Sequence, residues 1–263
     1  MIISHDDIKT NLNLPSKMSD YFADFLYRFC GIKDFNNLYE NYRHLEGLEF
    51  VDAILAKQNV TIKYNKNKLK SLSKPLSFII VSNHPHGILD GLAIFKMLAE
   101  NGAEPKIVVN HLLASIKPLS KNFIVVNSFN DSDDYQSKFR GCKNILKHFS
   151  EISKIVFFPA GDVSLFNLRT FRVEDLKWNK TFIKLVARAD CDILPIFIKG
   201  HNSLLYQICG LISSKLNLLN LIPEFLKKKN TCIKISIGCI IGKECLIEKN
   251  MATFLRKKVY ELS

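Results

Sequence analysis

The sequence predicts an α/β protein: a mostly parallel central sheet flanked by helices, with a helical extension at its N-terminus. Three observations carry that prediction. Short apolar runs of strand length alternate with segments whose apolar residues recur at helical spacing, which argues for parallel strands covered on both faces. Several of the runs end in polar, glycine-containing turns. The 263 residues, 47% of them hydrophobic, suffice to bury one large core.

Residues 1–58 read as the helical extension and residues 59–263 as the α/β domain. The first 20 residues are polar, either irregular or one short helix with Ser4, Asp6 and Asp7 as cap residues. Tyr21, Phe22, Phe25, Tyr27 and Phe29 crowd a second segment that Gly31 stops, a helix that faces either the core or a membrane. Leu38, Tyr42, Leu45, Leu48, Val51 and Leu55 keep a helical period as far as Ala56. Val60–Tyr64 is a short strand, followed by a basic connection over residues 65–74. Phe78–Val81 is a buried strand, and Ile88, Leu89, Leu92, Phe95 and Leu98 form the helix after it.

Strands are expected next at Lys106–Asn110 and Phe123–Val126, then an acidic loop at 131–134 and a helix at 138–149. Ile155–Phe158 is a further strand, and a helix around Trp178, Phe182, Leu185 and Val186 spans 177–189. Ile193–Ile198 and Thr231–Ile237 are the last strands, and a basic helix at 252–262 closes the chain. Leu204–Ile222 carries one charge, Lys215, and leads to Lys227, Lys228 and Lys229. It reads either as an interfacial segment with lysines set for anionic headgroups or as a core helix pair broken near Ser213.

Charge narrows the partners. Thirty-seven Lys and Arg against 25 Asp and Glu leave a net charge of +12, which suits an anionic membrane surface or simply keeps a lysine-rich protein in solution. Nucleic acid is disfavoured, because the aromatics lie in apolar runs and are not interleaved with Lys and Arg. The seven scattered cysteines form no C-x-x-C pair, so buried reduced thiols are expected, with neither a disulfide framework nor a metal site. The N-terminus has acidic residues where a signal peptide has basic ones, and no uncharged apolar run reaches spanning length. A cytoplasmic protein, peripheral on the inner (plasma) membrane, is the expectation.

The chemistry is concentrated in three polar turns at expected strand ends: Asn83-His84-Pro85-His86-Gly87 with Asp90 beyond it, Phe158–Ser164, and Lys199–Ser203. Such ends converge on one side of a parallel sheet. Pro85 pushes His84 towards extended backbone, and Asp90 falls in the first turn of the next helix, so the two side chains can meet across the turn. A carboxylate there fixes the imidazole tautomer and frees the other nitrogen to take a proton. His86 is the rival base, able to pair with Asp90 along one helix face if the helix begins at Pro85. Gly87, Gly161 and Gly200 let backbone amides approach a ligand, as an oxyanion hole requires. A serine hydrolase using Ser164 or Ser203 is disfavoured, since neither lies in a G-x-S-x-G elbow.

The NHPHGILD block at 83–90 together with Phe158-Pro159-Ala160-Gly161 resembles the glycerolipid (lysophospholipid) acyltransferase superfamily, also called PlsC-like. The closest likeness is to its hemolysin-like branch, which includes lyso-ornithine lipid acyltransferases. Ile193-Leu194-Pro195-Ile196 matches the superfamily's fourth block, Asp175 and Trp178 also match that branch, and the likeness runs from about Asn36 to Gly242. The resemblance implies an acyltransferase that needs no cofactor or metal. An acyl thioester, on acyl carrier protein or coenzyme A, would donate to a lysolipid acceptor, with His84 as general base and Asp90 orienting it. It further implies substrate contacts from Asn83, His86, Gly87, Pro159, Ala160, Gly161, Asp162, Ser164, Arg169 and Arg172. A non-catalytic lipid-binding protein of the same fold is the alternative.

Two departures bear on the acceptor. The usual acid of the third block is displaced to Asp162, and Phe123–Asn130 has no arginine where the second block normally carries one to hold a phosphate. An amino-acid-type lyso-lipid is therefore expected over lysophosphatidic acid, unless Arg169 or Arg172 supplies the phosphate site from the other side.

Overall fold

A computed structural model describes residues 4–6, 9, 19–73, 78–126, 154–179, 183, 186, 191–246 and 250–263. Three helices precede the first strand: α1 (Ser19–Phe29), α2 (Ile32–Tyr42) and α3 (Gly47–Lys57). Beyond them the elements alternate: β1 (Thr61–Tyr64), β2 (Phe78–Ser82), α4 (Ile88–Ala99), β3 (Pro105–Asn110), β4 (Phe123–Val126) and β5 (Lys154–Phe157). A two-stranded hairpin, β6 (Leu165–Asn167) and β7 (Arg172–Glu174), precedes β8 (Asp192–Lys199). The chain then continues through α5 (Leu204–Ile212), α6 (Ser214–Lys227), β9 (Cys232–Ile237) and α7 (Met251–Tyr260).

Seven strands form one sheet in the order β1–β9–β8–β2–β5–β3–β4. Every pairing is parallel except β8 with β9, which matches the expected mostly parallel sheet. All five residues of β2 are buried, because helices cover both sides and the pleat sends alternate side chains to each. Phe78 and Ile80 enter one core with Phe50, Ile54, Leu89 and Phe95 of α3 and α4. Ile79 and Val81 enter the other with Trp178 and with Leu255 and Val259 of α7. Each such aliphatic side chain contributes roughly 1.5–3 kcal/mol by leaving water.

The structure revises several expectations. The helical period over 38–56 is carried by two helices rather than one. Leu38 and Tyr39 of α2 and Phe50, Val51, Ile54 and Leu55 of α3 point into the same core, so the apolar pattern passes over the break between them. The 204–222 segment is a helix pair broken at Ser213, and Pro223 lies inside the second helix. The β6–β7 hairpin was not expected, its strands being only three residues each. Of the six described cysteines, Cys30 and Cys191 are buried but Cys232, Cys239 and Cys245 are exposed. In β9 inward and outward positions alternate, and Cys232 falls on an outward one. The expected turn at 127–130, the acidic loop at 131–134 and the helix at 138–149 lie outside the described residues, as does most of 177–189.

Candidate active site

The site forms where β2 leaves the centre of the sheet. Beyond Ser82 the ladder is extended by a side chain: Asn83 Nδ2 donates to Ile198 C=O (2.8 Å) and Ile198 N–H donates to Asn83 Oδ1 (2.7 Å). The buried amide thus takes the place of one more rung to β8. Removing it would leave a buried donor and acceptor unpaired, at roughly 1–3 kcal/mol.

His84 comes next, released from the ladder, while α4 begins only at Ile88. Asp90 occupies the third position of that helix and is fully buried. Its Oδ2 accepts from His86 N–H (2.8 Å) and Gly87 N–H (3.0 Å), and it lies 2.9 Å from His84 Nδ1. A carboxylate capping a helix N-terminus in this way satisfies donors the helix itself leaves open. With Nδ1–H directed at Asp90, Nε2 carries the lone pair. The His84 side chain remains 18% exposed, and its ring stacks on Phe158 with centroids 4.2 Å apart. The expected contact across the turn is therefore present, with one imidazole edge held and the other open.

The turn has this shape because of glycine. Gly87 has φ +73°, and a Cβ there would come within 2.9 Å of Leu221 Cδ2, so a side chain is disfavoured by both backbone and space. Its amide is spent on Asp90, and the Gly161 amide on Phe158 C=O (3.0 Å). Neither is available as the oxyanion donor that the glycine pattern suggested.

His86 takes a different environment from its neighbour. It is buried, its Nε2 lies 3.2 Å from Lys199 C=O, and its ring fills the space that a Cβ on Gly200 would occupy, 2.6 Å away. Burial pushes its pKa down, outweighing the pull of the Asp90 charge, so the ring stays neutral. Only its main-chain N–H reaches Asp90, because the helix begins two residues after it. His86 is thus a packing residue here, and the expected substrate contact through its side chain has no open face.

The third-block turn lies directly against His84. Ser164 N–H donates to His84 C=O (2.9 Å), and His84 N–H donates to Asp175 Oδ1 (3.1 Å). Ser164 Oγ, itself buried, donates to the same Oδ1 (2.6 Å), and Trp178 Nε1–H donates to Oδ2 (2.8 Å). Burial pushes the Asp175 carboxyl up from its ordinary value, against the pull of Ser164, Trp178 and His84. Asp175 N–H donates to Tyr260 Oη (2.6 Å), and Arg256 bonds both Asp175 C=O and Glu174. Pro159 and Ala160 are buried in the same turn, while Gly161 and Asp162 are exposed. The contacts of Asp175 were not read from the sequence, although the Asp175-x-x-Trp178 spacing was a signal for them.

Arg169 and Arg172 are exposed on the β6–β7 hairpin beside Leu168 and Phe171, the latter 76% exposed. Arg169 lines a groove of about 1040 Å³ between the hairpin and α7, together with Asp175, Trp178 and Arg256. His84 is not part of that lining, so neither arginine is brought to the base. Among the described residues no group of His, Cys, Asp and Glu could hold a metal ion.

A family model described as Acyltransferase matches residues 10–262. A lyso-glycine lipid O-acyltransferase of Phocaeicola vulgatus is 26% identical over 254 residues, covering 92% of this chain and 88% of that protein. A protein of the same name from Bacteroides thetaiotaomicron is 26% identical over 200 residues, covering 73% of this chain and 70% of that one. The 1-acyl-sn-glycerophosphate (LPA) acyltransferase PlsC of Thermotoga maritima superposes with a TM-score of 0.48 at 12% identity, covering 90% of this chain and 91% of that one.

Proposed function

This chain belongs to the acyltransferase family, and on that premise we propose that it O-acylates an amino-acid-type lysolipid from an acyl thioester carried by acyl carrier protein or coenzyme A. The observation that carries the reading is the pairing of a partly exposed His84 with a fully buried Asp90 at 2.9 Å. His84 Nε2 takes the proton from the acceptor hydroxyl as its oxygen attacks the thioester carbonyl. The tetrahedral intermediate expels the thiolate, which takes the proton back from the imidazolium, leaving an ester and a free thiol. Asp90 keeps Nε2 as the accepting nitrogen throughout. A non-catalytic lipid-binding role would leave this alignment without a use.

The acceptor class rests on two supports. The two relatives with 26% identity are named for lyso-glycine lipid, and the sequence from Phe123 to Asn130 has no arginine to hold a phosphomonoester. In this reading the lysolipid comes from an anionic membrane on whose cytoplasmic face the protein sits. No described helix is long and apolar enough to cross a membrane. Helix α5 nevertheless exposes Leu204, Leu205, Ile208, Leu211 and Ile212, as an interfacial helix would. Its neighbour β6 leads to the hairpin carrying Arg169 and Arg172. Of the three lysines expected at headgroups, Lys227 pairs with Glu224 and Lys228 donates to His201 C=O (2.6 Å), which leaves Lys229 and the hairpin arginines as the better candidates.

The test is direct. Purified protein incubated with lyso-glycine lipid and an acyl thioester should yield the O-acylated lipid by mass spectrometry, and His84→Ala should not. No acylated product with either thioester, from this or any other lysolipid, would overturn the reading.

A further inference from the structure

We propose that Asp175 is a positioning residue for His84, holding the base by its main chain. The inference rests on the reading of His84 as the base. Asp90 fixes the rotation of the imidazole, but nothing in that contact fixes where the Cα of His84 sits. After Ser82 the chain has left the sheet, and His84 has no strand partner. Its two main-chain polar groups are instead taken by Ser164, at the end of the third-block turn, and by Asp175 just after β7. The C=O accepts from Ser164 N–H at 2.9 Å, and the N–H donates to Asp175 Oδ1 at 3.1 Å. Ser164 Oγ closes the ring by donating to the same Oδ1 at 2.6 Å.

The carboxylate is itself immobile. It is buried, Trp178 Nε1–H holds its second oxygen at 2.8 Å, and Tyr260 Oη accepts its main-chain N–H at 2.6 Å. Trp178 belongs to one of the two cores on the sheet, so the position of the base is referred to the packed interior rather than to a loop. A catalytic group misplaced by about 1 Å can lose on the order of 10²-fold in rate. A single buried acceptor joined to the main chain of the base is a device suited to preventing that.

Three variants, Asp175→Asn, Asp175→Ala and Ser164→Ala, separate this role from plain stability and from substrate contact. Each is assayed for kcat and KM at a temperature where circular dichroism shows it native. The His84 imidazole is followed by ¹⁵N NMR, with His84→Ala as the assignment control and the zero of activity. The expected result is a fall in kcat at nearly constant KM, about 10²-fold for Asp175→Ala and less for the other two. With it the fixed Nδ1–H tautomer signal should be lost in Asp175→Ala. If Asp175→Ala does not fold, the other two variants decide by the same readouts. Native protein with wild-type kcat and an unchanged imidazole signal would overturn the proposal, as would a loss confined to KM, which marks a substrate contact in the adjoining groove. Full activity in His84→Ala would be a failure of the base assignment instead, visible before any Asp175 variant is measured.

Discussion

The ring of Phe158 lies parallel to within 24° of the His84 imidazole, at a centroid distance of 4.2 Å. The first residue of the third-block turn therefore forms a wall against one face of the base, while Asp90 holds one edge. An aromatic pair of this kind contributes about 0.5–1.5 kcal/mol beyond its buried area, which converts to at most about tenfold in rate. Phe158→Leu should lower kcat by roughly that factor with the fold intact, and Phe158→Tyr should stay near wild type. Steady-state kinetics of the two variants side by side checks this; equal rates in all three proteins would refute it.

The two histidines of the turn should behave oppositely. His84→Ala removes the exposed imidazole and should cost roughly 10²–10⁴-fold in rate with little loss of stability. His86→Ala empties a buried site against Gly200, so its cost should appear in the thermal midpoint, with activity retained in the folded fraction. Rates and melting curves of both variants decide the matter, and a rate ranking with His86 worse would give it the role of base.

Membrane attachment should depend on α5. Leu204 and Ile212 are 75% and 71% exposed, so Leu204→Glu with Ile212→Glu should leave the melting temperature nearly unchanged. The same pair should abolish co-sedimentation with anionic vesicles, and salt should weaken binding of the wild-type protein. Equal binding by the variant would exclude this face.

Acceptor choice can be read by competition. With lyso-glycine lipid and lysophosphatidic acid at equal concentration and one thioester, kcat/KM should favour the former. A preference for lysophosphatidic acid that vanishes in Arg169→Ala or Arg172→Ala would show that an arginine on the hairpin holds phosphate after all.

Acid stability should have a component from Glu224. Burial alone pushes this carboxyl up, but bonds from Ser203 Oγ and N–H and the pairing with Lys227 outweigh it and hold the group below its ordinary 4.5. A carboxylate lowered in the folded state stabilises fully above the ordinary value, and that contribution disappears as the pH falls through the folded value. Glu224→Gln should therefore lose about 1–3 kcal/mol at neutral pH and show a shallower decline than wild type once the pH drops below the ordinary 4.5. Parallel melting curves for the two proteins across that range would be inconsistent with this account.

The sequence by itself determined what depends on near neighbours. The apolar runs of β2, β5 and β8 mark buried strands because a strand covered on both faces needs apolar residues at every position. Pro85 and the spacing to Asp90 bring the imidazole and carboxylate together within one turn. The tertiary structure decided what depends on residues far apart in the chain. Asp175 meets His84 across 91 positions, Phe158 comes to stack on the same ring, and Gly200 closes over His86. No local period encodes such contacts, because they arise only when the turns at different strand ends are stacked by the sheet. The reversed direction of β9 beside β8 was hidden for the same reason: the apolar pattern of a strand reads alike in both directions, and only its partner's backbone donors and acceptors distinguish them.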